Sequence, residues 1–297
     1  MPRVLSIGDL MLDVIAQIGE TINYGSDTPS KISTHGGGAA GNVAAWASNA
    51  GADSYLLARV GNDAAGKTLL TQLDDLGVHH GNKVVDGVQS GVVIVLVDPS
   101  GERTMFPERG ANSGLTLADL PDLAGVEIIY LSGYALLDPG SRPGILEMIA
   151  LFHQRQIPIC FDPASVGSME LVDLAEARGW LSLMQTAIMN EEEAIFLSGC
   201  ATVAEALDLL LLTTPRVIIK RGAAGVIGRQ RNGELISIAA YPATVIDTTG
   251  AGDSFAGGYL AAQLLGRDLE SCLHAGAELA AKCVAIVGAR PQVTPAL

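Results

Sequence analysis

Short apolar runs of strand length alternate along the chain with longer segments in which apolar and polar residues are mixed. The apolar runs lie at residues 4–7, 54–60, 128–131, 157–161, 186–189 and 217–220. The intervening segments with the length and composition of helices include residues 42–50, 65–76, 143–154 and 202–212. Apolar strands separated by helices are typical of a parallel sheet covered on both faces. The pattern therefore predicts an α/β protein, a three-layer α/β/α sandwich with a mostly parallel central sheet.

Two stretches interrupt this alternation. Residues 14–34 are polar, contain glycine and include short β-like pieces, whereas residues 91–107 have the pattern of strand, Asp-Pro-Ser-Gly turn and strand. We expect them to form a small β-sheet lid outside the main layer, and an ordinary edge hairpin is the alternative. Such an insertion has too little core to stand alone, so it should pack over a substrate, pair with a second subunit in a homodimer, or do both.

Composition and charge narrow the class of protein. With 297 residues and 48% hydrophobic content, the chain can bury the core of one large domain, so we assign residues 1–297 to a single domain that carries the lid. A net charge of −14 argues against nucleic acid and against an anionic membrane as partners. The four cysteines are widely spaced, and neither a signal peptide nor a membrane span is evident in the sequence. We expect a cytoplasmic protein.

The segment DTTGAGDSFAGGYLAAQLL, residues 247–265, is the most informative stretch for function. Gly250, Ala251 and Gly252 carry almost no side chain, so their backbone N–H groups can close around an anion at the positive end of a helix. Asp253 follows and can accept the proton of a substrate hydroxyl beside that anion. The segment predicts a phosphoryl-transfer site. The alternative is a capped helix in which Asp253 is an ordinary acid of the first turn.

A second pattern suggests a different nucleotide site. Residues 61–68, GNDAAGKT, satisfy the P-loop pattern GxxxxGK[ST], and the apolar run that ends at Asp98 resembles the strand whose acid would hold magnesium. Asp98, however, opens a Pro-Ser-Gly turn, as in a hairpin. A P-loop NTPase that works through Lys67 is therefore an alternative, and otherwise Lys67 is a solvated helix lysine.

The run GGGAAG, residues 36–41, fits the dinucleotide pattern GxGxxG, with Asp53 or Asp63 at roughly the distance of a ribose-binding acid. A dinucleotide fingerprint follows its first strand directly, whereas this run follows a polar stretch. A tight glycine loop that brings a small hydroxylated ligand close to the backbone fits better, and the Asn42 amide offers both a donor and an acceptor.

Two longer motifs carry a resemblance that covers essentially the whole chain. DTTGAGDSFAGGYL is similar to the C-terminal signature of the ribokinase-like, or PfkB-type, carbohydrate and nucleoside kinases, and GGGAAGNVAAWASNAGADSYLLARVGNDAAG is similar to their N-terminal signature. The resemblance implies a ribokinase-like fold and an ATP- and Mg²⁺-dependent kinase that phosphorylates a primary hydroxyl of a sugar. A nucleoside kinase of the same fold is the alternative, and a non-catalytic sugar or nucleotide sensor is a further one.

The resemblance also implies roles for single positions. Asp253 matches the catalytic base, and the N–H groups of Gly250, Ala251 and Gly252 match the anion hole for the γ-phosphate. The positions that match or neighbour the family's substrate contacts are Asp9, Asp13, Gly37, Gly38 and Asn42. Arg109 and Asn112, in the segment ERGAN, are further candidates because arginine suits oxygen-rich ligands, and a role within their own loop is the alternative.

The nucleotide side is implied by two more motifs. The run NEEE resembles the family's NxxE motif and places Asn190 near the phosphates and Glu193 near Mg²⁺, through water. The run KRGAAG resembles the nucleotide loop, with Lys220, Gly222 and Gly225 near ATP. Glu193 is otherwise a solvated helix acid, and Lys220 otherwise a lysine that extends from a strand end into solvent. Asp247 and Thr249 fall where some members bind a monovalent cation such as K⁺.

One departure bears on the acceptor. Where ribokinase-like sequences have Gly-Gly-Lys-Gly, this chain has Gly37, Gly38, Ala39 and Ala40, so the lysine that would reach the sugar is missing. This departure argues against ribose and leaves the identity of the sugar or nucleoside acceptor open.

Overall fold

The computed structural model describes residues 2–19, 21–81, 83–99 and 102–292. The strands, in chain order, are β1 (Arg3–Ile7), β2 (Met11–Ile18), β3 (Ser30–Gly37), β4 (Asp53–Leu57), β5 (Val60–Gly61), β6 (His79–His80), β7 (Val84–Val85), β8 (Gly91–Val97), β9 (Arg103–Glu108), β10 (Val126–Ser132), β11 (Ile159–Asp162), β12 (Thr186–Asn190), β13 (Arg216–Lys220), β14 (Val226–Gln230) and β15 (Ile236–Ile238). The helices are α1 (Ala39–Asn49), α2 (Ala64–Asp75), α3 (Gly133–Leu137), α4 (Arg142–Gln154), α5 (Val166–Met169), α6 (Leu174–Leu181), α7 (Glu191–Ser198), α8 (Val203–Leu210), α9 (Ala251–Leu264) and α10 (Leu269–Cys283).

The main sheet has the strand order β15-β14-β13-β12-β11-β10-β1-β4-β6. The strands from β13 to β6 pair in parallel, which confirms the α/β class that the apolar runs predict. At the other edge, β14 and β15 add in antiparallel orientation, a feature that the sequence did not predict.

Helices cover both faces of this sheet. In β1, Val4 packs into the core beneath α1, α2, α9 and α10, whereas Leu5 packs into the core beneath α3 to α8. Successive side chains of a strand point to opposite faces, so a strand buried on both faces has to be apolar throughout. Among the helices of the described residues, none has the length and apolar character needed to cross a membrane.

A small four-stranded sheet, with the order β3-β2-β8-β9, lies apart from the main sheet. The predicted small sheet is therefore confirmed, and the interpretation as an edge hairpin is wrong. Its strands reach beyond the predicted bounds, since β2 begins at Met11 and β3 ends at Gly37. The register places Asp13 and Arg103 on one face of this sheet, and Ile94 and Phe106 on the other.

Candidate active site

Three neighbouring parallel strands end in polar residues at one edge of the main sheet. Asp162 ends β11, Asn190 ends β12 and Lys220 ends β13. The carboxyl ends of parallel strands form the edge at which α/β proteins bind their ligands. The start of α9 lies against this edge, because a Cβ atom placed on Gly252 would be 3.0 Å from Lys220 Nζ.

The start of α9 has the geometry of an anion-binding loop. Gly250 precedes the helix with a φ of 76°, and a Cβ atom on it would lie 2.7 Å from the Cα of Ala289, so the position requires glycine. The Ala251 N–H donates a long bond of 3.3 Å to the Thr248 carbonyl oxygen. Helix geometry leaves the next N–H groups, of Gly252 and Asp253, without an acceptor inside the helix. These groups and the Lys220 ammonium can stabilise an anion together.

Asp253 is half-buried beside this loop and bonds to a side chain from another helix. The Asn42 Nδ2 atom donates to Asp253 Oδ2 at 2.8 Å. Burial raises the pKa of Asp253 to about 6, even though the Asn42 hydrogen bond and the positive charges of Lys220 and Arg290 favour the ionised form. A carboxylate with this pKa is mostly ionised at pH 7 and can accept a proton. The bond to Asn42 distinguishes Asp253 from an ordinary first-turn acid.

Arg290 was missed by the sequence analysis. Its Nε atom donates to Asn42 Oδ1 at 3.1 Å, and its Nη2 atom donates to the Gly37 carbonyl oxygen at 2.7 Å. Because the Asn42 oxygen is engaged by Arg290, the Asn42 NH₂ group is turned toward Asp253. Burial lowers the pKa of Arg290 to about 10, while the charges of Asp13 and Asp253 favour its protonated form. Arg290, Asn42 and Asp253 thus form a hydrogen-bonded chain.

The glycines of residues 36–41 make room for two charged side chains. A Cβ atom on Gly36 would lie 2.3 Å from Arg290 Nη1, and one on Gly41 would lie 2.7 Å from Nη2. A Cβ atom on Gly37 would lie 2.3 Å from both carboxylate oxygens of Asp13. The loop is glycine-rich because the protein's own Arg290 and Asp13 pack against its backbone.

The dinucleotide interpretation of this loop is wrong. The loop follows β3 of the small sheet, not β1 of the main sheet. Asp53, a candidate ribose acid, accepts two hydrogen bonds from Arg3, at 3.0 and 3.1 Å. Gly38, with a φ of 89°, packs against the Asp9 carbonyl oxygen, which a Cβ atom would approach to 2.5 Å.

The P-loop interpretation also fails. Asp63 caps α2, where it accepts hydrogen bonds at 2.7 Å from the Gly66 N–H and from the Ser90 N–H. A protein carboxylate therefore occupies the helix start at which a P-loop would bind phosphate. Lys67 is exposed, and Asp98 lies beyond the end of β8 in the small sheet.

The two acids predicted to bind substrate, Asp13 and Asp9, interact with different charged side chains. Burial raises the pKa of Asp13 to about 6; the Arg290 charge opposes this rise, and Asp253 adds to it. Asp9 accepts two hydrogen bonds from Arg109, at 2.7 and 3.2 Å. Burial raises the pKa of Asp9, although its ion pair with Arg109 acts in the opposite direction.

Asn112 bonds to backbone. Its Oδ1 atom accepts from the Leu10 N–H at 2.9 Å, and its Nδ2 atom donates to the carbonyl oxygens of Leu10 and Arg109 at 3.0 and 3.1 Å. Asn112 is thus fully engaged in holding the segment next to Asp9, and the structure favours a role within its own loop over contact with substrate.

Asn190 and Glu193 form a reciprocal cap at the start of α7. The Glu193 carboxylate accepts from the Asn190 N–H at 2.7 Å and from Asn190 Nδ2 at 2.8 Å. Glu193 is buried, so its interpretation as a solvated acid is wrong. Burial, with Asp162 nearby, raises its pKa to about 7, whereas Lys220 acts to lower it.

Lys220 donates to Asp162 Oδ2 at 2.9 Å, so it does not extend into solvent as the alternative supposed. Burial alone lowers the pKa of Lys220, but the charges of Asp162 and Glu193 outweigh this effect and raise it. Asp162 was missed as a site residue, although an acid directly after the predicted strand at 157–161 was a usable signal.

Gly222 and Gly225 form the turn between β13 and β14, with φ values of 54° and 86°. A Cβ atom on Gly225 would lie 2.0 Å from the Ile238 carbonyl oxygen, so backbone packing explains this glycine. A contact between this turn and ATP stays a prediction.

Two predictions concern metal ions. Within residues 2–19, 21–81, 83–99 and 102–292, no three histidine, cysteine or acidic side chains converge into a metal site. Asp247 and Thr249, where a monovalent cation is predicted, both accept hydrogen bonds from Arg103. A guanidinium group thus lies where the prediction places a cation.

An α/β fold with an anion-binding helix start beside a half-buried carboxylate is typical of enzymes that transfer phosphoryl groups. Comparison with known proteins agrees. A family model described as "pfkB family carbohydrate kinase" matches residues 1–296, and the chain belongs to this family.

Relatives within the family are named for different acceptors. The chain is 26% identical to a ribokinase from Arabidopsis thaliana, over 98% of this chain and 78% of the relative. It is 28% identical to a fructokinase from Klebsiella pneumoniae, over 87% of this chain and 83% of the relative. The protein is thus a sugar or nucleoside kinase.

Solved structures support the ribokinase-like fold. The adenosine kinase from Sinorhizobium meliloti matches with a TM-score of 0.88 and 25% identity, over 98% of this chain and 96% of that one. A putative ribokinase II from E. coli, in complex with ATP and Mg²⁺, matches with a TM-score of 0.87 and 23% identity, over 97% and 94% of the two chains. At 23% identity, the likeness to the E. coli protein supports the fold alone.

Proposed function

We propose that the protein transfers the γ-phosphate of ATP to a primary hydroxyl of a sugar, with Asp253 as the base. The observation that carries the proposal is the contact of the half-buried Asp253 carboxylate with Asn42 at 2.8 Å, beside the N–H groups at the start of α9. A base and an anion-stabilising loop at adjacent positions are what an in-line transfer needs.

In this mechanism Asp253 takes the proton of the acceptor hydroxyl as its oxygen bonds to the γ-phosphorus. The bond from phosphorus to the bridging oxygen breaks, and ADP leaves. The charge on the transferring group is stabilised by the N–H groups of Gly250, Gly252 and Asp253 and by the weakly bonded N–H group of Ala251, with the Lys220 ammonium close to Gly252. Lys220 keeps its positive charge because Asp162 pairs with it at 2.9 Å.

The nucleotide would lie along the carboxyl ends of β11, β12 and β13. Asp162 and Glu193 are carboxylates that Mg²⁺ would meet through its bound waters, since this ion keeps several waters and is held partly by phosphates. Bound there, Mg²⁺ would neutralise phosphate charge. Asn190 orients the Glu193 carboxylate through their reciprocal hydrogen bonds. Gly222 and Gly225 shape the turn that would border the nucleotide.

The acceptor would lie between Asp253 and the small sheet. Asp13 is close enough to Asp253 for their charges to interact, so it can bind other hydroxyls of the same acceptor. Arg109, partly exposed and aligned by Asp9, can donate to a further oxygen. We assign Asn112 a positioning role, through Leu10, and Gly37 and Gly38 the role of bringing the loop close to Asp13 and Asp9.

The acceptor can be identified by measuring ADP formation with pentoses, hexoses, sugar phosphates and nucleosides. A sugar that gives the highest kcat/KM supports the proposal. A nucleoside is the second candidate, favoured by the likeness to an adenosine kinase, and highest kcat/KM with a nucleoside would replace the sugar. ATP binding without turnover on any acceptor would favour the sensor.

The hydrogen bonds that link Arg290 through Asn42 to Asp253 predict how the reaction rate depends on pH. Asp253 must be ionised to act, so kcat/KM should fall as the pH is lowered through about 6, the pKa to which burial raises this carboxyl. The groups that act on Asp253 are Asn42 on α1, Asp162 on β11, Lys220 on β13, Asp13 on β2 and Arg290. Replacing Arg290 with Gln removes a positive charge, so the acidic limb should move to higher pH.

A pH–rate profile of Arg290→Gln, Arg290→Lys and the exposed control Arg155→Gln checks this expectation. Arg290→Lys keeps the charge but loses the bond to Asn42, so it should lower kcat with a smaller shift of the limb. An unshifted limb in Arg290→Gln, in protein that melts cooperatively, would contradict the assignment. The pKa of Asp13 is also raised to about 6, so the acidic limb of the pH–rate profile reports the titration of Asp13 and Asp253 together.

The small sheet predicts both closure and assembly. Its inner face carries Asp13, so acceptor binding should slow hydrogen exchange in residues 14–34 and 91–107.

The outer face of the small sheet exposes Ile32, Ile94 and Phe106 by 68, 47 and 53%, so we expect a homodimer through this face. Light scattering should find a dimer that Ile94→Asp dissociates and that Leu171→Asp, an exposed control elsewhere, leaves intact. Unchanged exchange with acceptor bound would contradict closure, and a micromolar monomer would contradict the dimer.

A further inference from the structure

The turn before α9 is held by a side chain from the small sheet. Arg103, at the start of β9, pairs through Nη2 with Asp247 Oδ1 at 2.5 Å and donates through Nη1 to Thr249 Oγ1. The Thr249 N–H donates to Asp247 Oδ1 at 2.7 Å, and the Gly288 N–H donates to Asp247 Oδ2 at 3.0 Å. Both oxygens of this buried carboxylate therefore face hydrogen-bond donors.

This arrangement does not suit a monovalent cation. Such an ion needs several oxygen atoms turned toward it, as in carbonyl-lined sites, whereas here the oxygens of Asp247 and Thr249 already accept hydrogen bonds. A cation among them would also lie within a few ångströms of the Arg103 guanidinium, and like charges repel at that distance. Burial alone raises the pKa of Asp247, but the hydrogen bonds from Gly288 and Thr249, with a smaller contribution from the Arg103 charge, lower it, so the pair stays ionised.

We propose that Arg103 replaces the monovalent cation, and that the kinase reaction is independent of K⁺. The proposal rests on the function proposed above. The turn 247–249 leads directly into Gly250 and the N–H groups of α9, so Arg103 acts on the anion hole by fixing this turn and adding a positive charge behind it. Arg103 is a positioning residue, since it acts through the turn.

The origin of Arg103 in β9 has a further consequence. A bound ion would stabilise the turn whether the small sheet is open or closed, but the guanidinium group reaches the turn only when β9 lies against it. Closure over the acceptor and completion of the anion hole are then one event. This coupling would limit ATP hydrolysis in the absence of an acceptor.

The test compares wild type, Arg103→Ala and Arg103→Gln with Lys31→Ala, which removes an exposed cation from the same small sheet. The kcat should be the same for wild type in KCl, NaCl and tetramethylammonium chloride at equal ionic strength. Arg103→Ala should lose about tenfold in kcat, less than the loss of a direct anion-hole donor, and should regain part of it with guanidinium or K⁺. Arg103→Gln should behave similarly, and Lys31→Ala should match wild type.

A second readout needs no turnover. The thermal midpoint of wild type should respond equally to KCl and NaCl, whereas Arg103→Ala should gain a K⁺-specific stabilisation, because the vacated turn can then bind the ion. Stimulation of wild type by K⁺ over Na⁺, or a variant at full rate without any added cation, would overturn the proposal. If no acceptor supports turnover but the midpoints behave as stated, the proposed function fails while the assignment of Arg103 stands.

Discussion

Replacing Asp253 with Asn is expected to lower kcat by about a hundredfold or more while leaving ATP affinity nearly unchanged, the scale for loss of a positioned base. Asn has the same shape, but it cannot accept the proton of the acceptor hydroxyl. Its NH₂ group can also oppose the Asn42 donor that now bonds to Asp253 at 2.8 Å. Steady-state rates and ATP binding by calorimetry measure the two effects separately.

Lys67→Ala is the matched control because it removes the lysine of the rejected P-loop. Lys67 is exposed on α2, so its loss should change neither turnover nor ATP affinity. Near-normal turnover of Asp253→Asn would remove this residue from the mechanism. A collapse of ATP binding in Lys67→Ala would restore the P-loop hypothesis.

Removal of divalent metal is expected to abolish phosphoryl transfer, and Mg²⁺ or Mn²⁺ should restore it. The described residues contain no cluster that could bind a metal with protein ligands alone, so the ion would depend on the phosphates as well. Glu193→Gln should raise the Mg²⁺ concentration needed for half-maximal rate, because it removes a charge from the buried carboxylate beside Asp162 and Lys220.

Glu192→Gln is the control for this experiment, since Glu192 is the exposed neighbour on the same helix turn. It should leave the Mg²⁺ requirement unchanged. Full activity after treatment with a chelator would contradict both the role of Glu193 and the proposed reaction. Equal Mg²⁺ requirements in the two variants would contradict the role of Glu193 alone.

The parts of the site that lie close together in the chain were the most predictable. Gly250 and Asp253 belong to one turn, and local rules for helix starts are enough to join an anion site to a carboxylate. Lys220 ends a run of apolar residues, so its place at the carboxyl edge of the sheet follows from the strand that precedes it. Asp162 could have been predicted in the same way, because it also ends a strand of the parallel sheet.

The parts that depend on packing between distant segments were not predictable. Arg290 bonds to Asn42 across 248 positions, and its own surroundings, GARPQ, have no pattern that assigns it a partner. Arg103 meets Asp247 only because the hairpin of β8 and β9 has one particular register. The antiparallel orientation of β14 could not be predicted either, since a parallel and an antiparallel strand at a sheet edge can have similar sequences.

The glycine run beside Arg290 bears on how this protein can be recombined with its relatives. Gly36 and Gly41 leave the space that the guanidinium group fills, and Trp46 Nε1 anchors the same C-terminal segment by donating to the Ala289 carbonyl oxygen at 2.8 Å. The glycine loop at residues 36–41 and the segment at residues 289–290 are therefore complementary in shape. A chimera that inherits one from this chain and the other from a relative would combine parts that do not match, so the two have to be exchanged together.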